Sequence, residues 1–334
     1  MTFRLAVLNP GGNDPEQQFP DFAGAPDDRV HPPVNYHGYA ACTGGSFHRS
    51  AASISSSQNN VLLLVRHDVM ASLTALRTLK RGGKTVAISF KESGLHQVAA
   101  ALADAKNLVR FQELCALANG AISSTPELAP IYRAARAKRA EFIPTPYPVD
   151  DARWDFSARP ESRRGVFIGT REFDVPSRNH AAALLLARTL GEPVTVVNVD
   201  GRAGRKLLAA VQTPAFTIHE GRLPYPRYLQ LIARHQLVFQ LDRSAVPGQI
   251  AGDALLAGIP CVGGDGATER LVFENENGHG REPSELAEIA ADLLADPAAR
   301  AQAATRAQAA ARANLSFAAV ASRLEKFYAE IPRD

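Results

Sequence analysis

Short apolar runs that stop at glycine, proline or a polar residue, each followed by residues at helical spacing, recur along this chain and then recur again in its second half. In the first half the runs are Leu5–Leu8, Val61–Val65, Thr85–Ile88, Ala121–Ser123 and Glu141–Pro144. In the second they are Gly165–Gly169, Val194–Val199, Phe216–Ile218, Leu237–Leu241 and Ile259–Val262. Runs this short and uninterrupted are the pattern of strands buried on both faces. Helical spacing fills the gaps: Ala71–Lys80, Gly94–Ala105 and Leu108–Ala118, then His180–Leu190, Lys206–Ala210, Pro226–His235 and Gln249–Ala257. Strands separated by helices imply right-handed crossovers and a parallel sheet. The chain has 334 residues, more than one ordinary core holds, so the repeated plan predicts two doubly wound, Rossmann-like α/β domains facing across a cleft.

The stiff, proline-rich run Thr145–Asp150 marks the divide. It gives an acceptor-side domain over residues 1–150 and a donor-side domain over 151–314. The remaining residues, 315–334, form an amphipathic helix from Phe317 to Ile331 that is free to pack back on the first domain. Thr125-Pro126-Glu127 predicts a helix capped by the threonine. Asp14 to about Ser57 is polar and rich in proline and glycine, and reads as one long loop of the kind that is functional or partly disordered.

Composition removes several classes of function. A net charge of +3 leaves no basic excess for a dedicated nucleic-acid binder. Three scattered cysteines, Cys42, Cys115 and Cys261, make neither a disulfide framework nor a metal pair, and suggest a reducing compartment. The opening MTFRLAVLNPGG is too short in apolar residues for a signal peptide, and no stretch of apolar residues is long enough to span a bilayer. We therefore expect a cytoplasmic protein. The basic run Arg133, Arg136, Lys138 and Arg139 reads as a solvated helix face, and a peripheral contact with the inner membrane face is its alternative reading.

In parallel sheets, ligands bind beyond the carboxyl ends of the strands, at the switch point of the topology. Candidates for chemistry are therefore the residues that follow strands. Gly11-Gly12 allows close backbone approach to a phosphate or sugar, although neither GxGxxG nor a P-loop is present. Arg171 follows one strand and Arg178 opens the next helix, a pair suited to holding a diphosphate. Asp242 ends another strand. Gln249 and Asp253, four apart near a helix start, share one face, where a carboxylate can receive the hydroxyls of a ribose. In the first half, His67, Asp68 and His37 are the candidate bases or sugar contacts. No acidic pair of the DxD kind follows a strand, so no metal is implied.

One stretch carries a specific likeness. DALLAGIPCVGGDGATERLV resembles the donor-binding region of GT-B glycosyltransferases, E-A-x-A-x-G-x-P-V-V followed by a glycine loop and a further glutamate. VFIGTREFDVPSRNHAAALLLAR resembles the family's strand–Gly–Arg–Lys–helix phosphate site, and ALANGAISSTPELAPIYR with EFIPTPYPVD resembles the close of its first domain. The likeness is to the family 4-like group and extends in order over nearly the whole chain. It implies a glycosyltransferase whose substrate is a nucleotide-diphosphate sugar, with no separate cofactor and with a sugar, lipid-linked or protein acceptor. By the same resemblance Asp253 stands at the ribose-binding glutamate, Glu269 at the later acidic residue, Arg171 at the phosphate arginine and Arg178 at the lysine. The pattern departs at Ala245, where retaining members carry their first glutamate. That departure leaves retention or inversion open. It also keeps two other readings in view, a sugar-nucleotide epimerase and a catalytically silent partner subunit.

Overall fold

The apolar runs become the strands of two sheets. The computed structural model describes residues 3–157, 162–169, 173, 175–211 and 216–333. In chain order the strands are β1 (Leu5–Leu8), β2 (Gln17–Gln18), β3 (Ser46–His48), β4 (Asn60–Val65), β5 (Thr85–Phe90), β6 (Gly120–Ser123), β7 (Ala140–Phe142), β8 (Val166–Ile168), β9 (Val194–Asn198), β10 (Phe216–Glu220), β11 (Leu237–Phe239) and β12 (Cys261–Val262). The helices are α1 (Asn35–Ala41), α2 (Val69–Arg81), α3 (Leu95–Leu102), α4 (Ala105–Leu117), α5 (Leu128–Ala134), α6 (His180–Ala187), α7 (Arg202–Val211), α8 (Tyr225–Ile232), α9 (Gln249–Leu256), α10 (Ala267–Val272), α11 (Pro283–Ala295), α12 (Pro297–Asn314) and α13 (Phe317–Glu330).

The first sheet has the order β2-β3-β1-β4-β5-β6-β7 and the second β10-β9-β8-β11-β12. Every pairing is parallel except that of β2 with β3. Both orders reverse direction once, between β1 and β4 and between β8 and β11. Those reversals are the switch points, and they set where a ligand can lie.

Crossover handedness decides which helix covers which face. From β4 to β7 the chain steps one way, so α2, α4 and α5 lie on one face around Leu63, Val86 and Ile88. From β1 to β3 it steps the other way, which sends α1 to the opposite face. That helix has only seven residues. The rest of the face, around Leu5, Leu62 and Ile122, is covered by Val320, Leu324, Phe327 and Tyr328 of α13. The Tyr328 hydroxyl donates to the Val61 carbonyl at 2.7 Å, which fixes the register of that helix on β4. On the second sheet, α6, α7 and α11 lie on one side and α8 and α9 on the other, while α12 reaches both, with Ala303 in the first cluster and Ala307 and Ala311 in the second.

Two expectations change. The segment from Asp14 to Ser57 is not one loop: it contains β2, α1 and β3, and β3 is a full member of the sheet with Phe47 completely buried. Thr125 does not cap a helix, because α5 starts at Leu128 behind Glu127, itself in helical conformation. The same helix ends at Ala134, and Arg136 turns into the left-handed region, so the basic run is not one helical face. Arg139 instead pairs with Glu141 and with Glu330 of α13. Among the described residues, no helix is long and apolar enough to cross a membrane. The three cysteines are free and buried.

The two units are tied at several points. The Tyr147 amide donates to the Leu315 carbonyl at 2.8 Å where the two connecting segments run side by side. Trp154 Nε1 donates to the Gly24 carbonyl at 2.9 Å, and Arg153 pairs with Asp21 at 2.5 Å. Arg270 of α10 meets Glu127 of the first unit at 2.5 Å.

Candidate functional site

The carboxyl ends of both sheets open toward one cleft, and a cavity of about 240 Å³ lies there. On the second-unit side its walls include Gly169 after β8, Gln240 and Asp242 after β11, and the turn Val246–Gly248 that leads into α9. Lys91, Glu92 and Ser93, directly after β5, form part of the opposite wall.

Glycines let these pieces come together. A side chain at Gly169 would place its Cβ 2.3 Å from Ile250 Cγ1, so only glycine lets α9 approach the end of β8. Gly248, the residue before α9, has φ +85, and a Cβ there would meet Glu269 Oε2 at 1.9 Å. No side chain caps α9. Its first residues, Gln249 and Ile250, line the cavity, and the positive end of a helix favours an anion.

Arg178 and Asp242 were separate candidates, and the structure joins them in an ion pair. Asp242 also accepts from the Ser244 amide at 2.8 Å and from the Ser244 hydroxyl. Asn179, in left-handed conformation at the start of α6, donates to the Leu241 carbonyl at 2.9 Å and ties the two strand ends together. Arg171 lies outside the described residues.

Asp253 is buried in the floor of the cavity, where the Tyr225 hydroxyl donates to its Oδ1 at 2.6 Å. Gln249 reaches across the cleft: its Oε1 accepts from Asn35 Nδ2 of the first unit at 2.8 Å. Glu269 is also buried. Its Oε1 accepts from Gln240 Nε2 at 2.9 Å, and its Oε2 has no hydrogen-bond partner. Burial first, and the charges of Asp242 and Asp265 with it, push its carboxyl up to about 7. A carboxyl with this affinity for protons can donate or accept a hydrogen bond near neutral pH.

The first-half candidates fare differently. His67 and Asp68 are exposed and outside the cavity walls. Asp68 serves as the N-cap of α2, accepting from the Ala71 amide at 3.2 Å. The start of α2 thus engages the Asp68 carboxylate. His37 is buried and stacked on Phe47 with centroids 3.7 Å apart. Burial pulls its pKa down to about 3, so it is a weak base near neutral pH. Gly11 and Gly12 shape the turn after β1, where a Cβ at Gly12 would overlap the Asn9 side chain, but neither lines the cavity.

Residues not picked out from the sequence complete the first-unit wall. Lys91 pairs with Asp14 at 3.2 Å, and Asn9 Nδ2 donates to the same carboxylate at 2.9 Å. Burial pushes Asp14 upward, but Lys91 outweighs it and holds the carboxyl below the usual range. The Tyr36 hydroxyl donates to the Phe90 carbonyl beneath them. Lys91 follows a strand, and that signal could have found it.

No protein-family model matches this sequence, and no curated protein matches it either. Solved structures do match. The sucrose-phosphate synthase of Thermosynechococcus elongatus has a TM-score of 0.66 at 16% identity, with 98% of each chain covered. HepE of Anabaena, in complex with UDP and glucose, has a TM-score of 0.60 at 16% identity over 81% of this chain and 78% of that one. The trehalose-6-phosphate synthase of E. coli, bound with UDP-2-fluoro glucose, has a TM-score of 0.61 at 12% identity over 83% and 75%. The two parallel-rich sheets and their arrangement are thus those of the GT-B glycosyltransferases.

Proposed function

We propose that this chain, with its GT-B fold, moves a glycosyl group from a nucleotide-diphosphate sugar to an acceptor, with the donor held on the second-unit wall. The observation that carries this reading is the uncapped start of α9 opening into the cavity beside Arg178. The first amides of α9, Arg178 and Arg171 would bind the diphosphate. Gln249, Asp253 and Glu269 would contact the ribose and the transferred sugar. In the reaction the bond from the anomeric carbon to the diphosphate breaks and a bond to the acceptor oxygen forms. Negative charge then grows on the leaving diphosphate, where positioned cations and amides act most strongly. The acceptor's proton passes to a diphosphate oxygen or to a base. His67 and Asp68 are outside the cavity and His37 is too weak a base for that task. Glu92 in the first-unit wall and Asp14 beside Lys91 are the acid side chains on that side of the cleft.

The UDP complexes among the similar structures make uridine diphosphate sugars the first donors to test. Calorimetric titration with UDP and other nucleoside diphosphates is expected to show binding. Arg171→Ala should weaken it by about 1.5–3 kcal/mol, the worth of a charged hydrogen bond. Arg171 is the better probe, because removing Arg178 also strands Asp242. If no nucleoside diphosphate binds, the reading is wrong. Ala245, where a glutamate would stand in retaining relatives, favours a second reading, a binding subunit without turnover. Donor that binds but is neither transferred nor hydrolysed over a panel of acceptors would select it.

A further inference from the structure

The first sheet has a second end, away from the cleft. There, at the amino ends of β1, β4, β5 and β6, a basin of about 1010 Å³ lies between the strands and the last part of α13. It stands a strand's length from the cleft, about 20 Å for six residues. None of its lining residues lines the cleft cavity.

Hydrogen bonds fix the walls of the basin. Lys84 Nζ, just before β5, donates to the Ser55 and Ser56 carbonyls at 3.0 and 2.8 Å and holds that turn against the sheet. Gln58 Nε2 donates to Ser46 Oγ at 2.6 Å, and Gln58 Oε1 accepts from the Ser55 amide at 3.3 Å. Asn119 Nδ2 donates to the Pro332 carbonyl at 2.6 Å, which brings Arg333 to the rim. Lys80 Nζ donates to Asn119 Oδ1 at 3.1 Å. Walls held in this way lose little freedom when a ligand binds.

The lining is polar and carries an excess of positive charge. Among the described residues it holds four cations, Arg4, Lys80, Lys84 and Arg333, against one carboxylate, Glu325. Arg4 and Arg333 are exposed, and neither is held in an ion pair among the described residues. Between them, Ser53, Ser55, Ser57, Asn59 and Asn60 present hydroxyls and amides, groups that both donate and accept. Phe3 is half-buried, and its ring packs on Tyr328 with centroids 5.5 Å apart, so it adds one apolar face to the wall. The space is at the upper end of the range for small-molecule sites, about 300–1,000 Å³, and more than a bare inorganic anion fills. A lipid chain would find few apolar partners here. Nucleic acid would need a longer basic stripe than these four side chains make.

We propose that this basin binds a polyhydroxylated anion, a sugar that bears a phosphate or a carboxylate. Arg4 and Arg333 take the charged group, because guanidinium forks match the oxygens of either anion. The serine hydroxyls and asparagine amides take the hydroxyls of the sugar. The site is independent of the donor reading, since it lies at the other end of the strands and shares no residue with the cleft cavity.

The test is calorimetric titration of the full chain with glucose 6-phosphate, glucuronate, glucose and inorganic phosphate, with UDP as the control for the cleft. Glucose 6-phosphate or glucuronate should bind more tightly than glucose and than inorganic phosphate, and the tighter of the two identifies the charged group. Arg4→Gln should weaken that binding roughly ten-fold, as the loss of one charged hydrogen bond predicts. Arg4→Lys should recover part of it, and both variants should bind UDP as wild type does. The inference is overturned if neither anionic sugar binds wild type at millimolar concentration, or if glucose or inorganic phosphate binds as tightly. Binding that is unchanged in the Arg4→Gln/Arg333→Gln double variant overturns it too, and loss of that binding in Lys91→Met would place the ligand in the cleft. Should the anionic sugar respond to Arg4→Gln while UDP does not bind at all, the basin stands and the donor reading fails.

Discussion

The two walls of the cleft are made in opposite ways. The second-unit wall is assembled mostly from consecutive sequence, namely strand β11, the turn before α9, α9 itself, then β12 and the glycine turn that follows it, with Gly169 and Arg178 joining from the stretch after β8. Its precision comes from backbone, since Gly248, Gly263 and Gly264 all take left-handed φ where a Cβ would strike a neighbour. The first-unit wall gathers Asp14, Tyr36 and Lys91 from three distant segments, and its contacts are between side chains. A wall of the first kind should break sharply when a single atom is added. One of the second kind should yield by small steps.

Gly263→Ala puts this difference under the greatest load. Its φ is +84 and a Cβ would lie 1.8 Å from the Gln240 carbonyl oxygen, so strain and overlap together should cost about 4 kcal/mol. Urea unfolding checks this, and a loss below about 1 kcal/mol would mean that this wall is as pliant as the other. Arg178→Met comes next. It leaves Asp242, whose side chain is only 10% exposed, without its cation. Breaking such a pair costs about 3 kcal/mol, and the partial exposure of Arg178 holds it at the low end. A double-mutant cycle with Asp242→Asn should recover part of the loss, because it removes the stranded charge.

Glu269 allows a test by pH. Its folded pKa of about 7 stands above the ordinary 4.5, so the folded chain keeps a proton that the unfolded chain releases in between. Stability should therefore fall as pH rises through that window, by roughly 3 kcal/mol, and stay level above it. Glu269→Gln should flatten this slope and be the more stable form at pH 8. An unchanged slope would show that the carboxyl is not insulated. The smallest effect belongs to the first wall. Lys91→Met should cost only about 1 kcal/mol, because Lys91 and Asp14 are about a quarter to a third exposed. Asp14 is held below its usual pKa, so the pair's contribution is present above that range and disappears as acid protonates the carboxylate. The variant should accordingly lose less on acidification than wild type.

The same contrast explains what could be read in advance. The strands and most helices followed from apolar runs and helical spacing, because they are long enough to show a period. β3 has three residues in a serine- and glycine-rich context, and α1 carries an asparagine and a glycine, so neither shows one. Asp253 and Glu269 sit in one continuous motif, and the structure puts both on the wall of a single cavity. That Arg178 would pair with Asp242, 64 positions away, depends on how two strand ends meet, which no spacing reveals. At His67 and Asp68 the position after a strand is also the position before a helix. Asp68 answers the need of the helix, as the hydrogen bond to Ala71 shows.

The helix α13 has a consequence for how such a chain comes into being. A ribosome delivers the amino end first, yet Val320, Leu324, Phe327 and Tyr328 of α13, and Ile331 just after it, belong to the core of the sheet made first. Until they emerge, Leu62, Leu64 and Ala87 lie on a face that α1 alone is too short to cover. The half that is synthesised first is thus completed last, and through that interval its open apolar face is where a chaperone, or a neighbouring nascent chain, would find its hold.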